Sequence, residues 1–299
     1  MNNTVLLAVS MAACLLGGIL RKFLTDRYEN GIFAYQFYNA AVSLTAAVAL
    51  FAVSGVPEAS PFTVMLALLF GLVTLIQQVT NMQALEAGPL SYTTVIISLS
   101  TLIPTLSGAA IWDEKISAVQ VAGIILMVAC FVLSVEFGKE KKKASFRWLA
   151  FCLAAFLCTG FIGVMQKWHQ STPYSGEQDA FLIIAFAFSF ISSAAYCAVA
   201  AITKKGLNKD KENGKKKILA LVPLIIMLVS GVCVAANNKL NLHLSGVMES
   251  AVFFPTVNGG GLVLTLLASI AIFKEKLSAK QWVGMALGIV SVILLCNPF

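Results

Sequence analysis

The chain has 299 residues, of which 59% are hydrophobic and only 12% charged, against roughly 25% charged in soluble domains. Its 14 acidic and 21 basic side chains, with a mean hydropathy of +0.86, cannot cover a water-exposed globule, so the bilayer must serve as solvent. The net charge of +7 does not point to nucleic acid, because the basic residues gather in short loops rather than on a folded face.

Spanning a hydrocarbon core about 30 Å thick takes about 20 helical residues, and ten segments of that length follow one another along the chain. They run from Thr4 to Leu24, Ile32 to Val53, Phe62 to Ala84, Leu90 to Ile111, Ala118 to Phe137, Phe146 to Trp168, Ala180 to Thr203, Ile218 to Leu240, Val247 to Phe273 and Ala279 to Leu295. Strand-like alternation is absent, which excludes a barrel. The first segment is read as a span and not an export signal: MNNT carries no basic region, and the apolar stretch continues past Cys14 to Phe23. The two longest links, Lys139 to Arg147 and Lys204 to Lys217, are basic, and the second is expected to be a mobile, solvated loop.

With ten spans, both ends lie on one side. Lys and Arg in the loops after spans 1, 3, 5, 7 and 9 number three, none, five, seven and three, together 18, against Lys115, Lys167 and Lys239 on the opposite side. The positive-inside rule makes the basic side cytoplasmic and turns both termini outward.

The second half of the sequence echoes the first. Trp112-Asp113-Glu114-Lys115-Ile116-Ser117, then Gln120 and Gly123, matches Phe273-Lys274-Glu275-Lys276-Leu277-Ser278, then Gln281 and Gly284, at an offset of 161. Gly18-Ile19-Leu20-Arg21-Lys22 matches Gly163-Val164-Met165-Gln166-Lys167 at an offset of 145. The expected organisation is a five-helix repeat over 1–138, a basic linker over 139–147 and a second five-helix repeat over 148–299. Five is odd, so the second repeat crosses the membrane in the reverse sense, an inverted symmetry suited to alternating access.

Ten helices in two units, each with a Glu-Lys turn before a glycine-containing fifth helix, resemble the EamA-like branch of the drug/metabolite transporter superfamily. The run Phe254-Pro255-Thr256-Val257-Asn258-Gly259-Gly260 adds to the likeness, which covers essentially the whole chain. The resemblance implies a bacterial carrier of metabolites with spans 1 to 4 and 6 to 9 around a central cavity, and spans 5 and 10 peripheral.

Polar side chains within spans cost free energy unless paired or wetted, so their depth is informative. Toward the basic side lie Gln36 and Asn39, Gln77, Gln78 and Asn81, and Tyr92. The three- and four-residue spacings put Gln36 with Asn39, and Gln77 with Asn81, on single helical faces that could line a vestibule or join helices by hydrogen bonds. Near the midplane, Ser98, Ser100, Thr101 and Pro104 correspond to Pro255, Thr256, Asn258 and Gly259 to Gly261. Proline and glycine there are expected to break both helices, with Thr101, Thr256 and Asn258 facing the substrate. Toward the outer side come Lys167, Asp179, Asn237, Asn238, Lys239, Asn241, His243 and Glu249. Lys239 is expected to snorkel outward, pair with Glu249 across a short turn, or meet a substrate carboxylate or phosphate.

The seven cysteines lie in apolar runs without metal-binding spacing, His169 and His243 have no suitably spaced partners, and no nucleotide-binding glycine motif occurs. No metal, cofactor or catalytic residue is expected. A membrane-embedded enzyme acting on a lipid or isoprenoid would need acid, base or nucleophile clustered at one depth, and a non-transporting receptor leaves the repeat unexplained. The first span lacks the carboxylate of the small multidrug relatives, which disfavours lipophilic cations. The expectation is a cytoplasmic-membrane carrier for a small polar metabolite such as an amino acid. Its expected partners are that small-molecule substrate and the lipid bilayer, not nucleic acid, and the chain acts as a monomer or homodimer.

Overall fold

The computed structural model describes residues 3–28, 32–88, 90–135, 145–203, 220–272, 274 and 277–296. Its elements are α1 (Asn3–Arg27), α2 (Ile32–Ser54), α3 (Pro61–Ala87), α4 (Leu90–Ser98), a 3-10 turn (Leu99–Thr101), α5 (Leu102–Ile111), α6 (Ala118–Leu133), α7 (Phe146–Gln170), a second 3-10 turn (Ser175–Glu177), α8 (Gln178–Thr203), α9 (Leu221–Val247), α10 (Ser250–Ala271) and α11 (Ala279–Cys296). Among the described residues nine helical spans, α4 and α5 counting as one, are long and apolar enough to cross a membrane, and α6 is a shorter apolar helix. The chain is an all-helical, multi-pass membrane protein. The expected solvated loop from Lys204 to Lys217, and most of the basic linker, lie outside the described residues.

Local chemistry sets the helix ends. Gly55 adopts φ +71° just past α2, a conformation only glycine takes freely, and its N–H closes the helix onto the Phe51 carbonyl. Ser60 caps α3 by accepting the Thr63 N–H, with Pro61 at the first helical position where its missing donor costs nothing. Ser117 and Gln120 form a reciprocal capping box at α6, and Ser278 with Gln281 forms the same box at α11. The expected end of span eight at Leu240 is corrected: α9 continues to Val247. The polar Asn241 and His243 suggest an exit from lipid, but Leu242 and Leu244 between and beside them are fully buried and carry the helix on.

The described residues fall into two compact units, and each unit draws on both halves of the sequence. One comprises residues 8–72 and 173–241. Here α2 lies antiparallel along α8, with Asn39 opposite Ser193 and Ser43 opposite Ser189. Its core includes Leu24, Ala34, Val42 and Met227. A Cβ on Gly231 would collide with Thr45 and the Val42 carbonyl, so α9 and α2 cross at backbone distance there.

The other unit comprises residues 1–7, 73–172 and 242–299. In it α6 and α11 pack antiparallel, with Gly123 against Leu295 and Gly284 against Leu133 and Ser134. The pairs Gly123–Leu295 and Gly284–Ser134 exchange under the offset of 161. Ser291 Oγ fastens the seam by donating to the Gly123 carbonyl at 2.6 Å. Helix α10 packs on α11, α5 and α6, and α7 packs on α4 and α5. The Trp148 indole N–H, buried near the start of α7, donates to Thr93 Oγ1 at 2.8 Å.

Candidate functional site

Among the described residues, polar side chains collect at several places in each unit. In the unit built on α2 and α8, Asn237 and Asn241 lie one turn apart on α9 and both reach Ser10 of α1. Asn237 Nδ2 donates to the Ser10 carbonyl at 2.9 Å and to its hydroxyl at 3.0 Å, while that hydroxyl donates to Asn241 Oδ1 at 2.6 Å. Asn241 Nδ2 returns to Asn237 Oδ1 at 3.3 Å. The neighbouring Asn238 spends its amide on the Val234 carbonyl of its own helix.

Lys239 stands on another face of α9. Its ammonium lies 2.8 Å and 2.9 Å from the two Asp179 carboxylate oxygens, in the first turn of α8 where the helix dipole favours a negative charge. The expected pairing with Glu249 is therefore corrected. Lys239 sits two turns inside α9 and not at its end, which puts Asp179 within reach. The side chains are 33% and 20% exposed, so the pair is only partly buried, and it contributes no net charge to its surroundings.

A further polar group lies along the α2–α8 seam. Asn39 donates to Ser193 Oγ at 2.7 Å and to Ser189 Oγ at 3.3 Å, and Ser43 donates to Ser189 at 3.1 Å. One turn earlier Gln36 is buried, its Oε1 without a hydrogen-bond partner. Gln36 and Asn39 belong to this unit, whereas Gln77, Gln78 and Asn81, all half-buried on α3, belong to the other. Tyr92, at the start of the fourth span, is exposed.

In the second unit, the fourth span does break. Pro104 has no N–H to offer the Ser100 carbonyl, and the chain tightens into the 3-10 turn Leu99–Thr101 just upstream. Ser100 and Thr101 are buried in that turn, and Thr105 Oγ1 donates to the Thr101 carbonyl at 2.7 Å. The matching break expected in the ninth span is corrected: α10 runs unbroken through Pro255 and the glycines. Gly259 is there for packing, since any Cβ would overlap Met127 of α6. Thr256 is fully buried, its hydroxyl 3.8 Å from the Cys296 sulfur. Asn258 is exposed, and its Nδ2 donates to the Phe254 carbonyl one turn back at 2.8 Å.

One polar group in this unit was not anticipated. Glu114, in the turn between α5 and α6, accepts from Lys167 of α7 at 2.6 Å, with the two side chains only 15% and 8% exposed. Its other oxygen accepts the Ser250 N–H at 2.7 Å, and Lys167 also donates to the Met248 carbonyl at 3.1 Å. Glu114 thereby serves the first turn of α10, whose own N-cap residue, Glu249, makes no side-chain cap. Glu249 is instead exposed and accepts from Gln120 Nε2 at 2.8 Å. The signal available in the sequence was the Glu-Lys turn itself, which carries the repeat but discloses no partner.

No protein-family model matches the chain, and no curated protein matches it in sequence. A solved crystal structure of a protein does share its fold, with a TM-score of 0.70 over 97% of each chain at 15% identity. At that identity the likeness speaks for the fold alone.

Proposed function

We propose that this protein is a membrane carrier of the EamA-like kind that moves a small polar metabolite across the cytoplasmic membrane by alternating access. The observation that carries the reading is the antiparallel packing of α6 on α11. Each is entered through a turn of the same sequence pattern, left-handed φ of 54° (Asp113 and Lys274) and capping box, and their glycine contacts exchange under one offset. Local two-fold packing of this kind is what inverted repeats require, and inverted repeats give a carrier two equivalent ways to open.

The broken fourth span supports the same reading, because irregular backbone at membrane depth is tolerated where it is buried or lines a cavity. Thr101, Thr256 and Asn258 are its proposed substrate contacts, with Gln77, Gln78, Asn81, Tyr92 and Glu249 of the same compact unit as further candidates, and Gln36, Asn39, Asn237 and Asn238 are the candidates of the other unit. With Lys239 neutralised by Asp179, the polar groups favour a zwitterionic or uncharged polar solute over an anion. The orientation proposed has the basic loops cytoplasmic and the termini outside.

The test is a metabolite-library thermal-shift screen on detergent-purified protein, followed by uptake of each hit into proteoliposomes. Asn258→Ala is expected to abolish uptake at unchanged membrane abundance. Chemical conversion of the solute, or uptake indifferent to Asn258, sinks the assignment of function or of site respectively.

A further inference from the structure

We propose that Glu114 and Lys167 form a breakable latch between the two halves of the sequence, holding the membrane face opposite the basic loops shut. The proposal rests on the carrier reading above. Glu114 comes from the first half, whereas Lys167, Met248 and Ser250 all come from the second, and these four residues share one compact unit. By loop order, the turn after the fourth span, the end of the sixth and the turn before the ninth all lie on the side away from the basic loops.

The joint is shaped around the carboxylate. A Cβ on Gly108 would overlap both Glu114 Oε2 and Ser250, so the last turn of α5 leaves room for the carboxylate only because it carries no side chain. Asp113, at φ 54°, reverses the chain directly before Glu114, and the Glu114 N–H is tied to the Gly108 carbonyl at 3.2 Å. The carboxylate then sits between an ammonium and the positive end of α10.

Charge here needs a reason, because well-packed apolar residues hold a static joint as well as a buried ion pair does. What an ion pair adds is reversibility. When Glu114 and Lys167 part, each charged end regains its hydration, whereas a parted apolar joint would expose hydrophobic surface to water. The joint therefore favours the closed arrangement without making it permanent.

The experiment uses a cysteine-free background carrying Thr101→Cys, expressed in cells and exposed from outside to a membrane-impermeant maleimide. Glu114→Gln is expected to raise the labelling rate about tenfold, within the ordinary range of coupling between sites. Ser250→Pro gives a second route should Glu114→Gln fold poorly. It removes the N–H donor together with a buried hydroxyl that makes no hydrogen bond, at a helix position proline tolerates and after a residue, Glu249, whose ψ of 138° suits a following proline. Adding Lys167→Met to Glu114→Gln is expected to change the rate little further, since both remove one interaction. Unchanged labelling in variants that elute as single species, or additive increments in the double variant, overturns the latch. Uptake of a radiolabelled L-amino-acid mixture by the unsubstituted protein is scored in parallel. Its absence counts against that cargo while the labelling ratio still decides the latch.

Discussion

Asp113 and Lys274, 161 residues apart in the chain, share a left-handed backbone at φ 54°, and each stands four residues before a serine that boxes with a glutamine three further on. The conformation costs an L-residue roughly 1–2 kcal/mol, a cost that Asp offsets through local hydrogen bonding and Lys does not. Lys274→Gly is therefore expected to raise the melting temperature in detergent, by the equivalent of about 0.5–1 kcal/mol, and Asp113→Gly by less. Equal responses at the two sites, or a loss at Lys274, count against strain as the distinguishing feature.

The α6–α11 seam predicts an asymmetry within an otherwise symmetric pair of contacts. A methyl group on Gly123 meets the Leu295 side chain at 2.8 Å, which can rotate away, whereas one on Gly284 meets the Leu133 and Ser134 backbone at 3.1 Å. Gly284→Ala should cost about 1–3 kcal/mol and Gly123→Ala less. Thermal unfolding of the two variants side by side decides it, and the reverse order would mean that α11 shifts more readily than its neighbour allows.

Asn39 separates a seam role from a transport role. If its amide mainly joins α2 to α8 through Ser189 and Ser193, Asn39→Ala lowers stability by about 1 kcal/mol and leaves uptake near normal once the protein is folded. Uptake abolished at unchanged melting temperature would instead make Asn39 a substrate contact.

Thr93→Val is expected to destabilise by about 1–3 kcal/mol, because it strands the buried Trp148 indole N–H while preserving volume. Trp148→Phe in the same background removes the orphaned donor and should recover part of the loss. A double variant no better than Thr93→Val alone would locate the cost in packing.

Much of the helical frame was readable because lipid demands long apolar runs, whereas the caps Ser117 with Gln120 and Ser145 before α7 emerge only in the structure. The same logic misjudged α9, where Asn241 and His243 look like an exit but the burial of Leu242 and Leu244 outweighs them. Proline was a good guide in the fourth span and a poor one in α10, which continues through Pro255 although the residue stands inside the helix. The ion pairs of Lys239 with Asp179 and of Lys167 with Glu114 were not readable at all. No periodicity links residues that far apart, and only packing decides which carboxylate each lysine reaches.

Each compact unit is stitched from both ends of the polypeptide, with α1, α3 and α9 passing from one to the other. During synthesis neither unit can close until late helices emerge: one waits for α8 to cover α2, and the other for α11 to cover α6. The early helices must therefore sit in lipid with amides such as Asn39 still seeking partners, which makes the insertion machinery's hold on half-made chains, rather than the strength of any finished contact, the step most exposed to failure in the cell.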